Sequence, residues 1–443
     1  MRKIRRRMPL LSGLAALAGL LAAALPAVAQ ELPLLPPWAA ESVRAVCRDF
    51  AEGAAPSDET VATHLGAMAD TIAVTRAGPR LYSAAAIRDG FDLTLTVRLP
   101  GTPQSRTRLT AEERSEGGTR GRPAFFIQAG PDCRTELARA VAYDADGAPD
   151  RLIHFAGDPP AETEAEALNP PVPEGKDPGG VAVATIDTGV NYLLPEIAPR
   201  LARDETGAIL GADLFDQDGR PFDLDPRQGP LFPRRHGSAV ASILLSEAPA
   251  ARLVPFRYPG RDAEAFADLI ERIAAGPARI VSMPLGGYRA EEWRPFAQAA
   301  ARHPELLFVL SAGNDGRDID ASPVYPAAFE NDNFLTVTSA DPFGRLAAES
   351  NWGAAHVDIA VPGEQIPAID HRGARGEASG TSYAAPRVAA LAARMAAAHP
   401  DWDAGRIKAE IVARAIPLPR GGGDRPTRHG WLPDPAGLEV ELE

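Results

Sequence analysis

From residue 181 onward the sequence alternates two textures, and the alternation leaves few folds open. Short, nearly unbroken apolar runs ("VAVATID", "RLVPFRY", "RIVSMPL", "LLFVLSAGN", "FLTVTSAD", "VDIAVPG") are separated by helix-like segments such as "HGSAVASILLSEA", "AEAFADLIERIAA" and "EEWRPFAQAAARH". A strand with one wet face alternates polar and apolar residues, whereas a strand apolar throughout needs cover on both faces. Strands of that kind joined by helices predict an α/β domain with a mostly parallel sheet between helical layers. In such sheets functional side chains gather at the carboxyl ends of the strands. Asp187 ends the first run and Asn314 ends the fourth.

The chain before residue 181 reads differently. "MRKIRRR", an apolar stretch and "AVA" before Gln30 predict a secretory signal peptide over residues 1–29, too short for a membrane span. No other long apolar run follows, so no membrane association is expected once it is removed. Residues 30–160 predict a small α+β domain. "AAESVRAVCRDFAE" is helix-like, Phe91–Leu99 alternates strictly, and "ARAVAYDADGAPDRLIHFAG" reads as two strands about a turn. His154, inside a strand pattern, reads as structural. Residues 161–180, rich in Pro, Gly and Glu, read as a linker, with residues 181–443 as the second domain. The two cysteines, Cys47 and Cys133, predict a disulfide in an exported protein. The net charge is −13; residues 1–29 hold five basic and no acidic residues, so the remainder carries −18. A surface this acidic argues against nucleic-acid and anionic-membrane partners.

Ser382 stands where "GEASG" turns into the apolar helix "TSYAAPRVAALAARM". A serine at a helix start is commonly a cap. The same junction also suits a nucleophile, because free amides and the helix dipole favour a developing negative charge. Pro386 falls near the last position whose N–H lacks a helical partner, so the helix tolerates it. Arg387 and Arg394, seven apart, predict one wet stripe on an otherwise buried helix. His236 opens another apolar helix and is a candidate general base. The Asn314 amide is a candidate oxyanion donor. Each residue also has a bland reading: Asp187 and Asn314 as turn formers, His236 as a half-buried polar residue.

Taken in order, Asp187, His236, Asn314 and Ser382 make the chain resemble the subtilisin-like serine peptidases. The matching stretches are "VATIDTGVN", "HGSAVAS", "SMPLGG", "LSAGN" and "SGTSYAAPRVAAL", with "SNWG" and "DIAVPG" beside them, over residues 181 to about 415. The Asp, His, Ser chain order is itself a known mark of that family. The resemblance implies a subtilisin-like three-layer domain preceded by the small α+β domain. It implies Ser382 as nucleophile, His236 as base, Asp187 as its orienting acid, and Asn314 with the Ser382 amide as oxyanion hole. It also implies that Leu285, Gly286 and Gly287 pair with substrate backbone, and that Ala312 and Gly313 wall the pocket before the cleaved bond. The expected function is an exported serine endopeptidase, periplasmic or secreted from a bacterium, acting on protein or peptide substrates. Its alternatives are a maturation or acyl-transfer protease with one narrow substrate, or a silent homologue that only binds. The N-terminal domain then reads either as an intramolecular inhibitor that is cut away or as a retained accessory domain.

Some features depart from the family pattern. "HGS" stands for the usual "HGT", and Pro284 replaces the serine before "LGG". The stretch from His236 to Asn314 is short, and that from Asp187 to His236 is long and acidic. No cofactor or metal is expected. Calcium in "DLFDQDGRPFDLD" is a lesser alternative to a solvated loop, because the spacing does not fit a twelve-residue calcium loop.

Overall fold

A computed structural model of the chain describes residues 34–52, 56–67, 72–76, 81–99, 102–115, 121–260, 262–419 and 426–440. The expected signal peptide lies outside the described residues. Two helices come first, α1 (Pro37–Ala51) and α2 (Asp58–Leu65). Eight antiparallel strands follow, each paired with the next in sequence: β1 (Ala73–Arg76), β2 (Leu81–Arg88), β3 (Phe91–Arg98), β4 (Arg106–Glu113), β5 (Pro123–Ala129), β6 (Thr135–Tyr143), β7 (Pro149–Ala156) and β8 (Ala161–Ala167). The strict alternation of β3 buries Leu93, Leu95 and Val97, the side chains a half-covered strand turns inward. They meet Val43, Val46 and Phe50 of α1 in one core. Cys47 of α1 is bonded to Cys133 between β5 and β6, closing a loop of 86 residues. A crosslink over that span stabilises the folded state by about 4–5 kcal/mol on chain-entropy grounds.

The second sheet is parallel, in the order β10 (Ala212–Asp213), β11 (Ala251–Arg257), β9 (Val181–Asp187), β12 (Ile280–Met283), β13 (Leu307–Ser311), β14 (Phe334–Ala340), β15 (Ile359–Pro362). A hairpin of β16 (Ile366–Ile369) and β17 (Arg375–Ala378) stands outside it. The apolar runs are continuous because alternate residues enter different cores. Val183, Leu307 and Val309 join the core under α3 (Gly237–Glu247), α6 (Thr381–Ala398) and α7 (Ala404–Ala413). Ala184, Ile186, Phe308 and Leu310 join the core under α4 (Ala263–Ala275) and α5 (Ala290–Ala301). Among the described residues no helix is long and apolar enough to cross a membrane.

Three local expectations differ from what forms. Residues 161–167 are a strand, not part of a linker, because β8 pairs with β7 through backbone that needs no apolar side chain. The following residues are pinned as well: the Tyr192 hydroxyl donates to the Pro170 carbonyl at 2.5 Å, Arg203 to that of Pro173 at 2.9 Å, and Arg252 to Asp177 at 2.5 Å. The wet stripe on α6 is covered. Arg387 is buried, donating to Glu247 at 2.6 Å and to the Pro362 carbonyl at 2.8 Å, while Arg394 donates to the Leu438 carbonyl at 2.9 Å. Pro386 lies deeper than expected, because α6 begins at Thr381 after the Gly380 cap. The proline therefore deprives the Ser382 carbonyl of its helical donor.

The two sheets meet through the segment 226–235, between β10 and α3. Leu231 packs with Phe126, Val141 and Leu152, on the sheet face opposite α1, and Phe126 and Phe232 rings meet edge to face at 4.8 Å.

Candidate active site

Asp187 ends β9 at the carboxyl edge of the parallel sheet and is 1 % exposed. Its Oδ1 accepts from the Thr188 amide at 2.7 Å. The His236 Nδ1 lies 2.7 and 2.9 Å from its two oxygens. With Nδ1–H given to the carboxylate, the neutral ring presents Nε2 as an acceptor. Burial works against the imidazolium, but Asp187, with Asp223 and Asp225 behind it, outweighs that and raises the His236 pKa above its ordinary value.

His236 caps α3, whose first residue has to be glycine. A Cβ on Gly237 would fall 2.0 Å from the Gly189 carbonyl oxygen. Beneath the ring stands Asp223, fully buried. It accepts from the Thr188 hydroxyl at 2.5 Å, the His236 amide at 3.0 Å, the Ser238 amide at 3.0 Å and the Ser238 hydroxyl at 2.5 Å. Burial pushes this carboxyl up; nearby His371 and the two hydroxyls outweigh it and hold the pKa at about 2. The His371 Nδ1 stands 3.6 Å from it. Ser238 also accepts from the Asn191 amide at 2.8 Å. The "HGS" serine is thus a two-sided strut, donating its hydroxyl to Asp223 and accepting from Asn191, which a serine does as well as a threonine.

Ser382 is the second residue of α6. Its amide has no carbonyl one turn back within the helix. Gly380, with φ of 126°, turns the chain into that helix, and a Cβ there would meet the Asn314 side chain at 3.2 Å. The Asn314 Oδ1 accepts from the Thr381 amide at 2.9 Å and from its hydroxyl at 3.1 Å, which leaves the Nδ2 hydrogens for another acceptor. On the other side of Ser382, the Tyr383 ring lies 5.7 Å from that of His236. The serine therefore falls between the residue that holds Asn314 and the residue that packs on His236. Among the described residues its hydroxyl makes no hydrogen bond to either.

The expected substrate edge is only partly free. Gly287 exchanges both backbone hydrogen bonds with Tyr325, each at 2.8 Å, so Leu285 and Gly286 remain. Gly286 and Gly313 face one spot: Val324 Cγ1 lies 3.4 Å from where a Cβ on the first would be and 3.6 Å from one on the second. Gly313, at φ of 98°, is also fixed by Asn351, whose Nδ2 would be 2.5 Å from such a Cβ. Ala312 is buried in the small cluster of Val324, Ala327 and Val357 behind this wall.

The acidic stretch before His236 is an ion-pair lattice. Arg257 holds Asp213 at 2.6 Å and Asp216 at 2.5 Å, Arg220 holds Asp218 at 3.0 Å, and Arg227 holds Asp225 at 3.0 Å. Among the described residues no group of three or more His, Cys, Asp or Glu side chains is arranged to hold a metal ion. Sequence points to Ser238 only as a small residue with a retained hydroxyl, and to Asp223 and Tyr383 not at all.

A family model described as the subtilase family, Peptidase_S8, matches residues 179–431. The chain is 31% identical over 235 residues to a thermophilic serine proteinase of Bacillus sp. strain AK1, covering 50% of this chain and 53% of that one. It is 30% identical over 235 residues to halolysin of Haloferax mediterranei, covering 49% and 42%. It is 30% identical over 250 residues to alkaline serine exoprotease A of Vibrio alginolyticus, covering 54% and 42%. The chain thus spans about half the length of the curated relatives it matches.

Proposed function

The chain belongs to the subtilase family, and from that premise we propose that it is an exported serine endopeptidase working through an acyl-enzyme. The observation that carries the reading is the Asp187–His236 pair at 2.7 Å, together with a helix start at which Thr381, next to Ser382 in the chain, holds Asn314 at 2.9 Å. Ser382 Oγ attacks the peptide carbonyl carbon while His236 Nε2 takes its proton, and Asp187 holds the ring in that tautomer and balances the imidazolium. The new oxyanion accepts from the Ser382 amide and from Asn314 Nδ2. The C–N bond breaks as His236 returns the proton to the leaving amine, and water then releases the acyl group by the same route. Leu285 and Gly286 pair with the acyl half of the substrate, whose side chain enters beside Gly313.

Export rests on the basic and apolar pattern of residues 1–29. A retained N-terminal domain is favoured over a removable inhibitor. Among the described residues its contacts fall on the segment 226–235, on His371 and on Arg372, and none is to Leu285–Gly287 or Gly313. A narrow substrate range is the second reading, supported by that added wall.

The test is the intact mass of the exported protein before and after a fluorophosphonate. One adduct, absent in Ser382→Ala, is expected on a chain that keeps residues 34–180. A folded chain without adduct overturns the enzyme reading. A chain shortened to the second domain overturns the retained one.

A further inference from the structure

Where the N-terminal sheet meets His236 there is a cavity of about 470 Å³. From the second domain it is lined by His236, Tyr383, Ala378 and Arg372, and from the first by Arg139 of β6 and Glu166 of β8. None of Leu285–Gly287, Ala312, Gly313 or Asn314 lines it. Those residues serve the acyl half of the substrate in the reading above. His236, which protonates the leaving amine, opens onto this cavity instead. It therefore lies on the leaving-group side, and its volume suits a short stretch of peptide rather than a single small side chain.

The wall carries four arginines against four carboxylates, but the pairing is uneven: Arg235 and Arg372 reach Glu166, Arg375 reaches Glu196, and among the described residues Arg139 is the guanidinium of this wall with no carboxylate at ion-pair distance. Glu166 receives Arg235 at 2.6 Å and Arg372 at 3.4 Å, with His154 and His371 at 3.6 and 3.7 Å. Burial raises its pKa, but Arg235 outweighs that and keeps it below the usual carboxylate range. Asp223, the other deep carboxylate, is already saturated by hydroxyl and amide donors. Arg139 donates to the Leu231 carbonyl at 3.1 Å and packs on the Phe232 ring. Its Nε, together with the Arg235 Nε, the His154 Nε2 and the His371 Nδ1, is buried without a hydrogen-bond partner. His371 itself is only 8 % exposed. The two guanidinium N–H groups are donors that cost free energy while unpaired, and the two imidazole nitrogens donate or accept according to tautomer. Asp370 and Glu377 also line the cavity, toward its exposed rim.

We propose that this cavity binds the leaving half of the substrate and selects a carboxylate there, with Arg139 of the N-terminal domain as its main new contact and Arg372 beside it. The carboxylate is either an acidic side chain just after the cleaved bond or the carboxyl terminus of the substrate. The proposal rests on the serine-peptidase reading for which half is which. A guanidinium–carboxylate contact in a half-buried wall is worth about 10–100-fold in affinity.

The experiment uses full-length Ser382→Ala, so that binding is read without turnover. Calorimetry compares Ala-Ala-Ala as free acid and as C-terminal amide, and Ala-Glu-Ala amide with Ala-Gln-Ala amide. Tighter binding of the free acid, by about tenfold or more, identifies the terminal carboxylate. Tighter binding of the Glu peptide identifies the side chain. Either preference should fall to about twofold or less in Arg139→Gln, return in part in Arg139→Lys, and persist in the remote surface variant Arg302→Gln. Equal binding of charged and neutral peptides, or a preference unmoved by Arg139→Gln, overturns the proposal. Fluorophosphonate labelling of the unsubstituted enzyme reports separately on the peptidase reading, so the failure of one is not mistaken for failure of the other.

Discussion

The parallel and antiparallel sheets of this protein solve the same problem at different cost. In the parallel sheet, every residue of β13 is buried, because helices cover both faces. In the antiparallel sheet, α1 and α2 cover one face, and β3 still leaves Asp92 and Thr94 in water. The far end, β8, is exposed from Ala161 to Ala165, with Glu162 and Glu164 in water, and it is committed through backbone pairing, the Thr163 hydroxyl and the half-buried Glu166. An edge strand of that composition resists pairing with other chains. The comparison teaches that the parallel sheet is held by what its side chains are, and the last strand of the antiparallel sheet by what its neighbour offers.

Breaking the Asp187–His236 pair at the edge of the parallel sheet should have the largest effect. Asp187→Asn is expected to lower kcat by about 10⁴, as in other triads, with little change in thermal unfolding. In the unsubstituted enzyme, the raised pKa of His236 places the acid limb of kcat/KM above pH 6.5, since only neutral imidazole accepts the serine proton. In Asp187→Asn the residual activity should show that limb displaced to lower pH. Asn314→Ala should cost about 10²–10³ in kcat, the loss known for such a donor in subtilisin itself, and a peptide-ester assay measures it.

Substitutions in the cores sharpen the contrast in stability. Phe308→Ala, in the double-faced sheet, should cost about 3–5 kcal/mol, read by denaturant unfolding. Replacing both Cys47 and Cys133 by alanine should cost about 2–5 kcal/mol, confined to the unfolding of the N-terminal domain. Glu164→Ala, on exposed β8, should stay within about 0.5 kcal/mol. A loss at Glu164 as large as at Phe308 would show that the edge strand depends on side chains after all.

The same contrast explains what could be read in the sequence. The runs ending in Asp187 and Asn314 betrayed a sheet buried on both faces, and the alternation of Phe91–Leu99 betrayed one buried on a single face. The family-like motifs around Asp187, His236, Asn314 and Ser382 drew these residues together before any geometry was known. Side chains whose role depends on distant partners were hidden. Glu166 meets Arg235 across 69 residues, and Arg387 meets Glu247 across 140. Neither pair leaves a local period. Asp223 was masked by its acidic neighbours, because composition does not tell a buried carboxylate from a solvated one. The strand β8 was hidden because its pairing is a property of the backbone.

The stretch from Leu168 to Gly180 has a consequence for how this molecule would age. It is extended, as a protease's preferred target often is, yet Tyr192, Arg203 and Arg252 each hold a different part of it. Leu168 is buried with Leu231, and Asn169 is bonded to Asp218 at 3.0 Å. A single cut within it would sever the chain without parting the halves. The product would be a nicked two-chain protein that migrates as one species under native conditions and as two only after denaturation.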